Sequence, residues 1–403
     1  MRRRLLVDWK LTARSGWGNY GLHFAAAALR HGWAVVPLLE PDAESMTAAQ
    51  RETLAPVLRA WPSIERLYAS IGPTRGVQLE GCRVTGFGNQ FAQSARPSRI
   101  AGEVEVGVVF LEDAALSPAA IARAQQCRTI IAGSSWNARL LRDAGLPSVS
   151  WVMQGVDTRV FFPGPRTARF ADRFVVFSGG KLEYRKGQDI VVAAFRAFRA
   201  RHPEALLLHA WHNPWPATAA TIGDGGHVDG PPATRDGRLD FAPWLDRHGI
   251  GPDAHLEVPL MPNAAMGAVV RMADVAAFPN RCEGGTNLVA MECMAAGVPV
   301  LVSDNTGHRD LLDPSRTVAL PSAARSSQAP AYASWGDVAV TDVVDALEDA
   351  WHQRAAARAR ALRAAAWMHE HDWTRQMDRV MELVAAAADT RHSPARVRRA
   401  GGH

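Results

Sequence analysis

The feature that most constrains this chain is an alternation of short apolar runs and helical stretches that breaks at a proline-glycine segment and then begins again. Residues 4–8 are a brief apolar run. The turn Ser15-Gly16-Trp17-Gly18-Asn19-Tyr20-Gly21 follows, then a helical stretch over 22–30 and a strand-like run over 34–39. Strand, glycine turn, helix and strand form a βαβ unit, which requires a parallel sheet with helices on its faces. Buried strands are expected over 104–111 and 129–132, with a helix over 118–126 between them. A second helix over 136–144 is capped by Ser134-Ser135 and ended by Gly145.

Phe161-Phe162-Pro163-Gly164-Pro165 carries the breaker residues of a linker. The alternation then restarts with strands over 174–177, 205–210, 275–278 and 298–302, and helices over 190–201 and 288–296. Residues 213–238 show no periodicity and read as a surface loop. One helix is expected over 343–366 and another over 375–388, separated at His371-Asp372-Trp373. A length of 403 residues exceeds one ordinary core. Two open α/β sheets with a cleft between them are therefore expected, with ligands at the cleft.

Composition narrows the function. No apolar run is long enough to span a bilayer, and the apolar stretch behind Met1-Arg2-Arg3-Arg4 stops at Asp8, too early for a signal peptide, so a cytoplasmic protein is expected. Cys82, Cys127, Cys282 and Cys293 lack zinc spacing and read as apolar fillers. The formal net charge of +5 is a mild bias that does not argue for nucleic acid as a partner. Lysine occurs only at Lys10, Lys181 and Lys186, so two of the three fall in one short segment.

That segment, Ser178-Gly179-Gly180-Lys181-Leu182-Glu183-Tyr184-Arg185-Lys186-Gly187, follows the first strand of the second half. Two mobile point charges five residues apart on such a turn suit a diphosphate, although a solvated basic turn looks the same in sequence. The second constellation runs from Arg281 to Val300: a strand end, a turn with Gly284, Gly285, Thr286 and Asn287, a helix opening at Leu288, and a Gly-Pro exit. Free N–H groups at a helix start, flanked by small residues, can cradle phosphate. Glu283 and Glu292 bracket this turn and can accept hydrogen bonds from sugar hydroxyls; two solvated glutamates beside a plain βα turn are the alternative.

Taken together, these segments resemble the nucleotide-sugar glycosyltransferases of the GT-B fold, specifically the retaining family 4. Ser134-Ser135-Trp136-Asn137, Gln154-Gly155-Val156-Asp157 with Phe161, Phe162 and Pro163, Lys181, Lys186-Gly187 and the Glu283/Glu292 pair carry the resemblance, in this order. It implies an α/β GT-B architecture of two Rossmann-like domains facing a central cleft. Residues 1–163 would form the acceptor side and 164–372 the nucleotide-sugar side. A helix over 373–388 would return to the first domain, ahead of a basic tail over 389–403. It further implies transfer of a mannose- or glucose-type hexose from a GDP- or UDP-linked donor to a glycan, lipid-linked or protein-linked acceptor, with no cofactor and no metal. The absence of any Asp-x-Asp fits that expectation. On this resemblance Glu112, Lys181, Lys186 and Glu283 are the catalytic candidates. Gly16, Gly18, Gly284, Gly285, Thr286, Asn287, Leu288 and Glu292 are the donor-binding ones.

Three positions depart from the family pattern. Eight residues, not the usual seven, separate Glu283 from Glu292. Lys181 stands where the family has arginine. Phe110-Leu111-Glu112-Asp113 lacks the histidine that many members carry, and Glu112, with Asp113 second, takes its place as candidate. His308 reads as a structural histidine. Basic clusters at Arg2 to Arg4 and at Arg391, Arg396, Arg398 and Arg399 suit peripheral contact with an anionic membrane, or else a solvated tail. An epimerase of the same fold and a donor-binding protein without catalysis are the alternative functions.

Overall fold

The computed structural model describes residues 3–93, 98–166, 168–213, 215–324, 332 and 334–389. The first half contains β1 (Arg4–Asp8), α1 (Gly16–Arg30), β2 (Ala34–Pro37), α2 (Ala55–Ile71), β3 (Cys82–Phe87), β4 (Val104–Val109), α3 (Pro118–Ala124), β5 (Thr129–Ala132), α4 (Ser135–Asp143) and β6 (Val149–Trp151). Its six-stranded sheet runs β2-β1-β3-β4-β5-β6, all parallel. The strand order reverses between β1 and β3, which opens a crevice beside the turn that starts α1.

The second half contains β7 (Phe174–Lys181), α5 (Gln188–Arg199), β8 (Ala205–His212), α6 (Phe241–Arg247), β9 (His255–Glu257), α7 (Asn263–Val270), β10 (Val275–Phe278), α8 (Leu288–Ala295), β11 (Val300–Ser303) and β12 (Val318–Leu320). Its sheet, also six-stranded and parallel, runs β9-β8-β7-β10-β11-β12. The reversal lies between β7 and β10. The turns after these two strands carry Lys181 to Lys186 and Arg281 to Glu283, so the topology brings both motifs to one switch point.

The chain ends in α9 (Val340–His352), α10 (Arg354–His369) and α11 (Trp373–Asp389). Helix α11 buries Trp373, Met377, Val380, Met381 and Val384 in the core built by β1 and α1. Each such side chain contributes about 1.5–3 kcal/mol of burial, so α11 is bound to the first half although it follows the second in sequence. The two places where the chain passes between halves lie side by side. Val156 pairs with Asp372, its N–H donates to His371 O at 3.2 Å, and Trp373 N–H donates to Val156 O at 3.2 Å.

Two sequence expectations are corrected. Residues 213–238 are not a featureless surface loop: the described part contains a helix over Pro216–Ala219, a 3-10 turn over Ala220–Gly225 and a short hairpin. Ile222 is fully buried and Thr221 Oγ1 accepts from Tyr184 N–H at 3.1 Å, so the excursion braces the lysine-bearing turn. The expected helix over 343–366 is two helices broken at Gln353, whose φ of −114° and ψ of 41° leave the helical region. The break lets α9 pack on α5 while α10 packs on α8. Of the expected basic tail, residues 390–403 lie outside the described residues, as do Met1 and Arg2; Asp389 closes α11 and pairs with Arg3 at 2.6 Å.

Candidate active site

Gly187 has a φ of 70°, and a Cβ there would come within 2.3 Å of Pro279 O. Only glycine lets the β7 turn close onto the β10 turn in this way. The closure places Arg185 and Lys186 beside Glu283. Lys186 Nζ lies 2.5 Å from Glu283 Oε1, and Arg185 reaches Glu283 Oε2 at 3.2 Å, Glu183 Oε1 at 2.6 Å and Glu112 Oε1 at 3.0 Å. Lys181 sits at the strand end, 3.3 Å from Glu183 and 5.2 Å from the ring of the exposed Trp215.

Arg281 fixes this arrangement from below. Fully buried, it holds Asp189 through both terminal nitrogens at 2.7 and 2.8 Å, reaches Asp337 and Tyr184 O, and lies 4.0 Å over the Tyr184 ring. A buried charge is tolerated only when paired and hydrogen-bonded in this way.

Burial alone would raise the Glu283 carboxyl, but Lys186 and Arg185 outweigh it and hold the group at about 2. Burial lowers the Lys186 ammonium, with Glu283 opposing. The Arg185 guanidinium loses solvation too, yet Glu112, Glu283 and Glu183 push it up overall. Glu292, inside α8, has a different setting: burial pushes it up to about 7, and one hydrogen bond from Asn263 at 2.8 Å offsets little of this.

Asn287 caps α8 with a φ of 62°, uncommon for a residue with a side chain. A relay holds it. Ser303 Oγ donates its proton to Asn280 O at 2.6 Å, so His308 Nδ1, 2.9 Å from that hydroxyl, must be the donor to it. His308 Nε2 is then an acceptor for Asn287 Nδ2 at 3.1 Å, leaving Asn287 Oδ1 for Ala290 N–H. Burial lowers His308 to about 4, consistent with this neutral tautomer. His308 is a structural histidine, as its sequence context suggested.

The glycines of the turn have a packing role between the two halves. A Cβ on Gly284 would meet the Phe110 carbonyl at 2.5 Å, and one on Gly285 would meet Gln154 Oε1 at 2.7 Å and Phe110 at 2.9 Å. Their missing side chains let the second half approach the first at the backbone. Thr286 is buried, its hydroxyl 3.0 Å from Met291 Sδ. Leu288 packs toward Gly16, 3.3 Å from where a Cβ on that glycine would stand. Gly18 packs against Thr12 within the first half, where a Cβ would meet Thr12 O at 2.1 Å. Gly16 therefore faces α8 and Gly18 does not. Ser134 Oγ adds a 2.7 Å hydrogen bond to Gly284 O, and Ser135 N donates to Asp310 at 2.7 Å.

Sequence reasoning missed Arg185, Arg281 and Trp335. Arg185 lay inside a quoted motif but was one arginine in an arginine-rich chain. Its adjacency to Glu112 depends on the fold of both halves.

Two facing Rossmann-like sheets, with charged turns at the switch point of the second, define the GT-B fold. A sucrose-phosphate synthase from Thermosynechococcus elongatus superposes with a TM-score of 0.65 at 14% identity, covering 96% of this chain and 99% of that one. Anabaena HepE in complex with UDP and glucose superposes with a TM-score of 0.61 at 13% identity, covering 96% and 100%. Residues 262–380 match the family model described as Family 4 Glycosyltransferase in conflict systems. The chain is accordingly a GT-B-fold protein resembling the family 4, or group 1, glycosyltransferases. A GDP-mannose-dependent alpha-(1-6)-phosphatidylinositol monomannoside mannosyltransferase of Mycobacterium tuberculosis is 28% identical over 184 residues. That match covers 42% of this chain and 42% of the length of the relative.

Proposed function

We propose that this chain is a retaining glycosyltransferase that moves a mannose- or glucose-type hexose from a nucleotide-diphosphate sugar to a glycan, lipid-linked or protein-linked acceptor, without a metal. The observation that carries the reading is the cluster at the second switch point. There Lys181 stands at the end of β7 and Lys186 in the turn that follows it, where a diphosphate would lie, and a carboxylate from the opposite half, Glu112, is drawn into the same cluster. The lysines neutralise the leaving diphosphate, the step at which preorganised positive charge lowers a barrier most. Donor entry gives Lys186 a phosphate partner and releases Glu283 Oε1 toward a sugar hydroxyl. Glu292, close to neutral pH in its ionisation, accepts or donates at a second hydroxyl. Glu112 orients sugar or acceptor, and the leaving phosphate takes the proton of the acceptor. The GDP-mannose-dependent relative and the UDP complex of HepE support GDP or UDP as the donor nucleotide without choosing between them.

The test is nucleotide release from a panel of UDP-, GDP- and ADP-sugars, with the anomeric configuration of the product read by NMR. Release with retention supports the proposal; release with inversion removes the retaining mechanism. The missing histidine at Phe110-Leu111-Glu112-Asp113 favours a second reading, a donor-binding protein without catalysis, for which nucleotide sugars raise the melting temperature but are not consumed. Among the described residues no helix is long and apolar enough to cross a membrane. A lipid-linked acceptor would be met from the surface.

A further inference from the structure

The backbone N–H, the backbone carbonyl and one carboxylate oxygen of Glu112 are all engaged, and the partners come from both halves of the molecule. Its N–H donates to Asn89 Oδ1 at 2.7 Å, within the first half. Its carbonyl accepts from Trp335 Nε1 at 2.7 Å and faces Cys282 Sγ at 3.5 Å, and its carboxylate meets Arg185 at 3.0 Å, all from the second half.

The first-half side of this grip is strained. Gln90 and Phe91 have φ values of 59° and 52°, a left-handed conformation in two successive residues with side chains. Such strain persists only where the surroundings over-determine it, and it concentrates at functional sites. Here the strained turn aims Asn89 at Glu112 and Gln90 at the loop that follows: Gln90 donates to Asp113 at 2.5 Å and to Ala115 O at 2.7 Å, and accepts from Ser117 N–H at 2.9 Å.

The second-half side is a charge cluster. Arg185 Nη1 donates to Cys282 O at 2.9 Å and Nη2 donates to Glu183 at 2.6 Å. The same guanidinium, 7% exposed at its side chain, forms ion pairs with Glu283 at 3.2 Å and with Glu112 at 3.0 Å, so it holds three carboxylates at once. Trp335 is similarly committed: its ring stacks on Tyr332 at 4.3 Å and on Tyr184 at 6.0 Å, which sets the direction of its N–H. Glu112, by contrast, keeps about a third of its side chain open, 32%.

We propose that Arg185 and Trp335 are positioning residues that dock Glu112 onto the nucleotide-sugar half, so that the carboxylate of the acceptor half is presented beside the diphosphate site only when the two halves are closed. This rests on the reading of Glu112 as the group that orients sugar or acceptor. Trp335→Phe keeps the stacked ring and every charge but deletes the N–H, and Arg185→Lys keeps the charge but cannot span three carboxylates.

The kinetic test uses whichever of UDP-glucose or GDP-mannose the parent enzyme consumes. Trp335→Phe should lower kcat about tenfold with donor KM within about twofold, and should cost less than about twofold when introduced into Glu112→Ala. A full tenfold loss persisting in the Glu112→Ala background, or a change in KM alone, overturns the proposal while leaving the Glu112 reading intact. Unchanged kcat in Glu112→Ala itself defeats both. Hydrogen–deuterium exchange needs no substrate: both variants should speed exchange across residues 110–117 relative to the parent. Equal exchange in a folded Trp335→Phe protein overturns the docking role, whether or not Arg185→Lys folds.

Discussion

A Cβ added to Gly284 would stand 2.5 Å from both the carbonyl carbon and the oxygen of Phe110. The turn that opens α8 and the exit of β4 thus meet backbone to backbone, closer than any side chain permits. Because the obstacle is backbone, it cannot swing aside as a side-chain tip would. Gly284→Ala should push the halves apart without altering any charged group. Small-angle scattering should show a larger radius of gyration with unchanged circular dichroism, and nucleotide release should fall. An unaltered scattering curve would show that the close approach is dispensable.

Lys186 is the cation most deeply set among the groups assigned to the diphosphate, and its partner Glu283 is held ionised at about 2. Lys186→Ala should lower kcat/KM by roughly a hundredfold or more through lost stabilisation of the leaving group. Unchanged kinetics in a folded variant would take the β7 turn out of the site.

Glu112→Gln preserves shape and an acceptor oxygen facing Arg185 while removing charge. If Glu112 orients rather than attacks, turnover falls and intact-mass analysis of the stalled enzyme shows no added hexose. A glycosyl adduct on Glu112 in the parent enzyme would replace this mechanism by double displacement.

Glu292 gives a pH signature. Its folded value of about 7 lies above the ordinary 4.5, so the folded state holds a proton that the unfolded state has released. Stability should therefore fall as pH rises from about 4.5 to about 7 and stay level beyond. Asp8, pushed up to about 6 by burial, adds a slope of the same sign, so the informative quantity is a difference. Glu292→Gln keeps an acceptor for Asn263 and should gain melting temperature over the parent by an amount that grows across this window and then plateaus. A gain that is constant with pH would contradict the elevated ionisation.

Arg281 and Asp189 form a pair with 1% and 0% of their side chains exposed. Removing one partner strands a buried charge, which costs about 3–5 kcal/mol. Arg281→Ala should lower the urea midpoint accordingly, and Arg281→Met combined with Asp189→Leu should recover much of it. Full additivity of the two single changes would argue that the pair is not coupled.

The parallel sheets were legible because buried strands such as Phe174 to Phe177 read as continuous apolar runs and because glycine turns punctuate them. Strand β3 was not: its Cys82-Arg83-Val84-Thr85-Gly86-Phe87 alternates polar and apolar residues, since Arg83 bridges to Glu105 within the sheet instead of burying hydrocarbon. The helix break at Gln353 carries neither glycine nor proline and is imposed by packing on two different partners. Within the site, Lys181, Lys186 and Glu283 stood out because lysine is rare here and because the motif spacing is specific. The packing role of the turn glycines was not legible, because a sequence shows that a residue is small but not which neighbour needs it so. Arg185 needed both halves assembled before its three carboxylates could be seen together.

The contact between Arg3 and Asp389 brings the two described extremities of the chain together. Combined with the return of α11 to the first half, it means that this half is interrupted in sequence but continuous in space. A circular permutant opened at the Pro163-Gly164 linker, with the old extremities joined, would read residues 164–389 and then 3–163. Its first half would become one uninterrupted stretch beginning at Trp373. The double strap at Val156 and Asp372 would be reduced to a single tether, and with it the restraint on twisting of one sheet against the other. The order of the two halves along the chain is thus a matter of where a nearly closed loop happens to be cut, whereas the paired strap is what that particular cut preserves.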